Sequence, residues 1–293
     1  MISICIPIHN YNAVKLINSI YRQAEKIKIP FEIIAIDDGS EDEFIKLNSS
    51  ISNLKNVQFI SLKKNIGRSK IRNLFLDKTN FESLLFIDCD CSISSENFLK
   101  NYQKKLNNDV VYGGRKHHPI PPKDENLKLR WLYGIKIEDQ TLDYRINNPY
   151  HSFKSNNFLI KKNILSNNKF DETFTGYGHE DTLLSLELKK NKINISQIDN
   201  PVYHEGIESN IVFLNKTKEG IDNLCKLEKK MKALNGVKLI TYYKFLRKIK
   251  MDKLLLFIAP STIRLIELQL LSRSPSLWLF NLYKLLIYIR KKA

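Results

Sequence analysis

Apolar residues fall in short unbroken runs separated by stretches of helical spacing, and this alternation recurs four times before residue 90. Residues 2 to 8, Ile-Ser-Ile-Cys-Ile-Pro-Ile, have the length and apolarity of a buried strand. An Asn-Tyr-Asn turn follows, and Val14, Ile17, Ile20 and Ala24 then carry the spacing of a helix over 14 to 27. Phe31 to Ile36 predicts a second strand that ends in Asp37-Asp38-Gly39-Ser40, where Ser40 and Glu43 have capping-box spacing for a helix over 41 to 51. Val57 to Leu62 predicts a third strand, Gly67 to Leu76 a helix, and Leu84 to Asp88 a fourth strand. Buried strands joined through helices predict an α/β fold, a mostly parallel sheet flanked by helices on both faces. Ligands of such sheets bind beyond the carboxyl ends of the strands. Both acidic clusters, Asp37-Asp38 and Asp88-Cys89-Asp90, lie at such ends.

Asp88 and Asp90 are two residues apart on an extended chain, so both carboxylates point the same way. Like charges held that close favour a hard divalent cation, Mn2+ or Mg2+, which in turn holds phosphate oxygens. A solvated strand end with two unrelated acids fits the same three residues. Asp37 and Asp38 likewise read either as a ligand pair or as turn and helix-cap residues. The first strand runs into Pro7-Ile8-His9-Asn10 instead of a Gly-rich turn, so the fingerprint of a nicotinamide or flavin enzyme is absent. Gly67 to Asn73 opens a helix whose N–H groups, with Arg68 and Arg72 one turn apart, suit phosphate or form a solvated basic face.

At 293 residues and 43% hydrophobic, the chain is long enough for one large α/β domain and an appendage. Cys5, Cys89, Cys91 and Cys225 lack the spacing of a disulfide or metal framework and read as buried fillers in a reducing compartment. Met1 leads straight into an apolar strand, without the basic region and cleavage site of a signal peptide, which predicts a cytoplasmic protein. Charge changes the picture at the other end. From Lys226 to Ala293 there are 16 Lys and Arg against 3 acids, a net +13 of the formal +16. Helical spacing predicts helices over 211 to 233 and 238 to 253, followed by two apolar segments: 254 to 271, interrupted by Pro260, and 277 to 289. Neither apolar segment supplies the ~20 uncharged residues that cross a bilayer. Residues 225–293 therefore predict a basic amphipathic helical tail in the interface of an anionic membrane. Trp278, Tyr283 and Tyr288 would lie at headgroup depth there, with Arg290, Lys291 and Lys292 against anionic lipid. A packed helical hairpin or a dimer contact is the other reading.

Six segments follow one another in order: Ile6-Pro-Ile-His-Asn10, Asp37-Asp-Gly-Ser40, Asn65-Ile-Gly-Arg-Ser-Lys-Ile-Arg-Asn73, Asp88-Cys-Asp90, Phe170-Asp-Glu-Thr-Phe-Thr-Gly-Tyr-Gly-His-Glu-Asp181 and Tyr203-His-Glu205. Together, from about Ile2 to Glu208, they resemble the family 2 glycosyltransferases with the GT-A fold, and more closely the branch that includes bacterial chondroitin polymerase domains. The resemblance implies a GT-A domain over 1–224. It also implies inverting transfer of a sugar from a nucleotide-sugar donor, a UDP-sugar in this family, to a glycan or lipid-linked oligosaccharide acceptor. The expected place is peripheral, on the inner face of the cytoplasmic membrane.

By the same resemblance, the donor is bound by Pro7, His9, Asp37, Asp38, Gly67, Arg72, Asp88 and Asn156, with Asp37-Asp38 on the base and Asp88 on the ribose side. Asp90 and His204 become ligands of Mn2+ or Mg2+, and Asp181, beside Glu180 in the catalytic pair, becomes the general base. Trp131, Tyr177 and Gly178 fall on the acceptor side, where the aromatic faces suit sugar rings; a place in the core fits Trp131 as well. Glu180 and Asp181 also fit as acids at a helix N-terminus. His9 departs from the aromatic residue often found near the base, and Ser155 and Asn156 replace the usual glycines. Arg115 to Tyr150, with His117-His118 among prolines and a helix around 127 to 135, reads as a surface loop on the acceptor side.

Two other classes compete. A nucleic-acid binder would use the basic tail, but acid clusters at the strand ends repel phosphate, which argues against nucleic acid as a partner. A nucleotidyltransferase would want a Gly-rich, Arg-bearing first loop, which this chain lacks.

Overall fold

The four strands expected before residue 90 form one edge and the centre of a seven-stranded sheet in the computed structural model, which describes residues 1–231 and 237–293. They are β1 (Ile2–Ile8), β2 (Phe31–Asp37), β3 (Val57–Ser61) and β4 (Ser83–Ile87). Six more strands follow: β5 (Cys91–Ile93), β6 (Val110–Tyr112), β7 (Arg115–Lys116), β8 (Asn157–Lys161), β9 (Ile195–Gln197) and β10 (Val202–His204). The large sheet has the order β3-β2-β1-β4-β8-β6-β9, and a second sheet has the order β5-β10-β7. Neighbours are parallel from β3 to β4, whereas β8 runs antiparallel to both β4 and β6.

Alternation along the strands supplies two cores, one on each face of the large sheet. Ile4, Ile6 and Ile8 of β1 and Leu85 and Ile87 of β4 face the helices Val14–Ala24 and Phe98–Gln103. Cys5, Ile36 and Phe86 face the opposite way, against the helices Arg68–Lys78 and Glu180–Lys190. Phe86 stacks on Phe158 with ring centroids 4.9 Å apart and meets the edge of Phe75 at 5.5 Å.

The chain divides into two units, and this sheet belongs to the first: Met1–His117, Glu138–Phe174 and Glu180–Gly206. The second comprises His118–Ile137, Thr175–His179 and Ile207–Ala293 and is helical. Its long helices are Asn210–Lys230, Lys238–Lys248, Met251–Leu270 and Leu277–Lys292. Lys232 and Ala233, the expected end of the first of these, lie outside the described residues. The helix expected over 238 to 253 breaks instead at Lys250, which turns into the left-handed region at φ 60. Pro260 sits inside the third helix without ending it.

The apolar faces of these helices pack on one another, which corrects the placing of two tyrosines at headgroup depth. Tyr283 and Tyr288 are fully buried; their hydroxyls donate to Glu267 at 2.8 Å and Glu228 at 2.6 Å. Trp278 does remain exposed. Among the described residues no helix is long and apolar enough to cross a membrane.

Lys284 enters this helical core, with its ammonium 4.8 Å from the Phe280 ring centroid and 5.4 Å from that of Tyr133. Burial lowers its pKa to about 8. The unfolded chain thus holds this proton more tightly than the folded one. The charged lysine destabilises the fold below pH 8, and the penalty fades as pH rises towards the ordinary lysine value near ~10.4. Lys284→Met is therefore expected to stabilise the protein by roughly 1–2 kcal/mol at pH 7, after allowance for the cation–π contacts it removes. Thermal unfolding across pH 6 to 10 checks it: the gain should shrink as pH rises.

Candidate active site

β1 and β2 end side by side, with Ile8 paired to Asp37 and the Asp38 N–H donating to the Ile8 carbonyl at 2.8 Å. The Asn10 N–H donates to Ser40 Oγ at 2.7 Å, and the Glu41 N–H donates to Asn10 Oδ1 at 2.9 Å. Ser40 thus ties two strand ends together, and the helix Asp42–Ser49 starts with no side-chain cap. This corrects the capping-box expectation: the helix forms, but its hydroxyl is spent elsewhere. Gly39 turns at φ +67, where a Cβ would lie 2.5 Å from the Asn65 nitrogen, so only glycine fits.

The two adjacent acids then diverge. Asp37 is buried; Oδ1 accepts the Ser40 N–H at 2.8 Å, while Oδ2 has no partner among the described residues. Both oxygens of Asp38 accept main-chain N–H groups, from Ile66 at 2.6 Å and Gly67 at 3.0 Å. That carboxylate occupies the N-terminal end of the helix Arg68–Lys78, whose Gly67 cap sits at φ +91. Pro7 is half-buried within β1 and His9 is exposed just past its end.

At the tip of β4, Arg72 is 3% exposed and donates from Nη2 to Asp88 Oδ1 at 2.7 Å. The Asp88 N–H donates to the Asn156 carbonyl at 3.0 Å. Asn156 itself is buried, and neither atom of its side-chain amide has a partner among the described residues. Asp90 begins the crossing to the second sheet, with Oδ2 3.3 Å from His204 Nε2 at the end of β10. Burial by itself would raise the Asp90 pKa, but the hydrogen bond and charge of His204, with Arg68 and Arg115, hold it at about 2. In turn, burial and the nearby Asp90 charge push the Tyr11 hydroxyl up to about 12.

His204 Nδ1 is buried without a partner among the described residues. Among the described residues no group of three or more His, Cys, Asp or Glu is arranged to hold a metal. Asp90 and His204 form a pair that could supply two ligands to a cation whose other positions were filled by water and substrate oxygens.

His117 lines the same wall. Its ring meets His204 edge-on at 5.3 Å, and its Nδ1 lies 2.6 Å from Asp139 Oδ1. Its N–H donates to Asp139 Oδ2 at 2.9 Å, and Glu138, 3.5 Å from Nε2, is paired with Arg115 at 3.0 Å. The reading of 115 to 150 as a surface loop is corrected here: His118 is exposed, but His117 is buried, with Asp139 satisfying Nδ1 inside and Nε2 facing Glu138 without a hydrogen bond among the described residues. Gly206 was also overlooked. A Cβ there would lie 2.8 Å from the Asp90 side chain, so the glycine clears room for that carboxylate.

Glu180 and Asp181 open the helix Glu180–Lys190. Glu180 is buried and 3.7 Å from Arg68. Asp181 Oδ2 is 3.3 Å from the Lys154 ammonium, and its Oδ1 accepts the Thr182 hydroxyl at 3.2 Å. Lys154 belongs to the same short segment as Asn156. The first unit thus holds every residue expected on the donor, metal and base.

Trp131, Tyr177 and Gly178 belong to the second unit. Trp131 donates from Nε1 to the His118 carbonyl at 2.8 Å and is half-buried. The Tyr177 N–H donates to Glu219 at 3.0 Å, and Lys216 lies over one face of its ring at 5.2 Å. The buried Asn223 amide reaches the carbonyls of Thr175, Tyr177 and Gly178 at 3.0 to 3.2 Å, which anchors this loop. An asparagine inside an otherwise amphipathic helix was the available signal for it.

The family model described as Glycosyl transferase family 2 matches residues 3–167. Poly(ribitol-phosphate) beta-N-acetylglucosaminyltransferase TarP of Staphylococcus aureus is 28% identical over 202 residues, which is 67% of this chain and 59% of TarP. Chondroitin synthase of Escherichia coli is 22% identical over 241 residues, 70% of this chain and 34% of that protein. The chain thus spans well under two thirds of these relatives. Among solved structures, Staphylococcus aureus TarS 1-349 in complex with UDP-GlcNAc aligns with a TM-score of 0.50 at 16% identity, covering 99% of this chain and 90% of that one. Mannosyltransferase PcManGT from Pyrobaculum calidifontis, in complex with GDP-Man and Mn2+, aligns with a TM-score of 0.59 at 12% identity, covering 99% and 86%. At those identities the structural likeness carries the fold alone, the GT-A arrangement.

Proposed function

Since the chain belongs to glycosyl transferase family 2 and is a glycosyltransferase, we propose that it moves a sugar, with inversion, from a UDP-sugar to a hydroxyl of a glycan or lipid-linked oligosaccharide at an anionic membrane surface. The supporting observation is that buried polar atoms at the strand ends, among them Asp37 Oδ2, both amide atoms of Asn156 and His204 Nδ1, have no partner among the described residues. Buried polar groups are normally hydrogen-bonded, so a polar ligand seated there would complete them. The TarS complex with UDP-GlcNAc supports uridine diphosphate as the carrier.

In this reading Asp37 receives the base, with Pro7 and His9 beside it, and Asp38 holds the Gly67 loop in place. Arg72 fixes Asp88 for the ribose, and Asn156 turns its amide to the sugar. Asp90 and His204 hold Mn2+ or Mg2+, the former being the ion bound in PcManGT. When bound, such a cation neutralises charge on the leaving diphosphate. Asp181 takes the proton from the acceptor hydroxyl as that oxygen bonds to the anomeric carbon and the bond to the diphosphate breaks. Trp131, Tyr177 and Gly178 receive the acceptor glycan.

A panel of UDP-sugars and GDP-mannose, measured for thermal stabilisation and nucleotide release with Mn2+ or EDTA, tests the reading. Stabilisation and slow hydrolysis by a UDP-sugar, dependent on the metal, is expected. A preference for GDP-mannose, or full effects in EDTA, rejects it.

His117 and Asp139 serve in this scheme to hold the His204 ring. His117→Phe and Asp139→Asn are expected to weaken Mn2+ binding by about 10- to 100-fold. Calorimetric titration of Mn2+ without donor separates this from an effect on turnover.

A further inference from the structure

A cleft of about 660 Å3 opens among the helices Asn210–Lys230, Met251–Leu270 and Leu277–Lys292 of the second unit. Pro260, Ile263 and Ile287 give it apolar walls, and Arg264 and Arg290 stand at its rim. Two of its cations are already neutralised: Lys218 pairs with Glu267 at 3.0 Å and Lys291 with Asp222 at 2.7 Å. Arg264 and Arg290 have no carboxylate partner among the described residues. Two unneutralised guanidinium groups above hydrocarbon suit a ligand with a phosphate at one end and an apolar body at the other.

The surface beside the cleft has the same dual character. Phe257, Arg264, Leu268 and Leu271 recur at i, i+7, i+11 and i+14, so they share one helix face. On that face Phe257 is 84% exposed and Leu268 64% exposed. A free phosphate would use the arginines but leave this apolar row and the cleft walls unused.

We infer that the cleft seats the phosphate of a phospholipid between Arg264 and Arg290, with Phe257 and Leu268 entering the acyl boundary beside it. This rests on the membrane-surface part of the proposed function and sharpens it from diffuse attraction to a defined headgroup site.

The test is co-sedimentation of the full chain with phosphatidylglycerol/phosphatidylcholine vesicles and with phosphatidylcholine alone, at physiological salt. Arg264→Gln/Arg290→Gln is compared with Lys244→Gln/Lys248→Gln, an equal loss of charge away from the cleft, and with Phe257→Ser/Leu268→Ser. The arginine pair is expected to weaken binding to the anionic vesicles by about tenfold or more, the lysine pair by clearly less, and the apolar pair to weaken it as well. Equal losses from the two charge pairs overturn the headgroup site but keep the membrane reading. Failure of the unaltered protein to bind anionic vesicles overturns both. Release by millimolar inorganic phosphate, with binding unchanged in Phe257→Ser/Leu268→Ser, assigns the cleft to free phosphate and overturns the lipid.

Discussion

Asp181→Asn is expected to lower kcat for sugar transfer by about 10²- to 10⁴-fold while leaving affinity for UDP and Mn2+ within about threefold. The substitution keeps the size of the side chain, and its one amide oxygen can still accept from either Thr182 or Lys154, which now contact Oδ1 at 3.2 Å and Oδ2 at 3.3 Å respectively. The helix N-terminus and the Lys154 ammonium both stabilise a negative charge at this position. Removing the charge therefore removes the base without an evident folding penalty. Glu180 is the natural control. Buried and set against Arg68, it has little freedom to reach an acceptor, so Glu180→Gln should alter stability more than the chemical step. Single-turnover transfer, measured alongside donor titration, distinguishes the two. If Asp181→Asn retains more than about a tenth of the wild-type rate, another group takes the proton.

The part of the fold that could be read from the chain is the part whose side chains face the core on both sides. β1, β2 and β4 are largely apolar runs because side chains on both faces of the sheet are covered by helices, while the edge strand β3 leaves Gln58 and Ser61 exposed. β5, β6, β7 and β10 have two or three residues each, too few for any periodicity to register. β8 enters between β4 and β6 in the antiparallel sense, long after them in the chain, and no local pattern announces such a pairing. The resemblance to family 2 glycosyltransferases was legible because sequence order alone carries it, and the family match over residues 3–167 and a chondroitin synthase relative bear the family out. What surrounds its segments was not. Ser40 was read by its spacing to Glu43, yet its hydroxyl serves Asn10, brought there by the pairing of β1 with β2. Asp38 and Arg72 were read as groups facing a ligand, yet both also hold neighbours in place, Gly67 and Asp88 respectively. His117 stands beside His118, a pair that suggests metal at first sight, but adjacent residues point apart. Its partners lie 21 and 22 residues further on, and Pro119, Pro121 and Pro122 advertise an exposed loop.

The second large effect is expected at Asp90. Asp90→Asn should abolish metal-dependent stabilisation by UDP and lower kcat/KM by about 10²- to 10³-fold, equivalent to roughly 3–4 kcal/mol of lost charge neutralisation. Loss of the local fold is not the reason. The Asp90 carbonyl, which accepts from Glu205 at 2.8 Å and Gly206 at 3.3 Å, is main chain and survives the change. The carboxylate is also well prepared for a cation. With its pKa at about 2, below its ordinary value, it stays ionised throughout the range in which the enzyme can be assayed. Any fall in activity between pH 7 and pH 5 must then come from another group, and Asp90→Asn should leave the shape of that acid limb unchanged while lowering the whole curve. Gly206→Ala offers a second approach to the same atom. A methyl group 2.8 Å from the Asp90 side chain must push the carboxylate aside, so Mn2+ affinity should fall although no ligand has been removed. Titration of Mn2+ into the three proteins, followed by pH–rate profiles at saturating metal, measures both effects. An Asp90→Asn enzyme that still needs Mn2+ and binds it with wild-type affinity places the cation elsewhere.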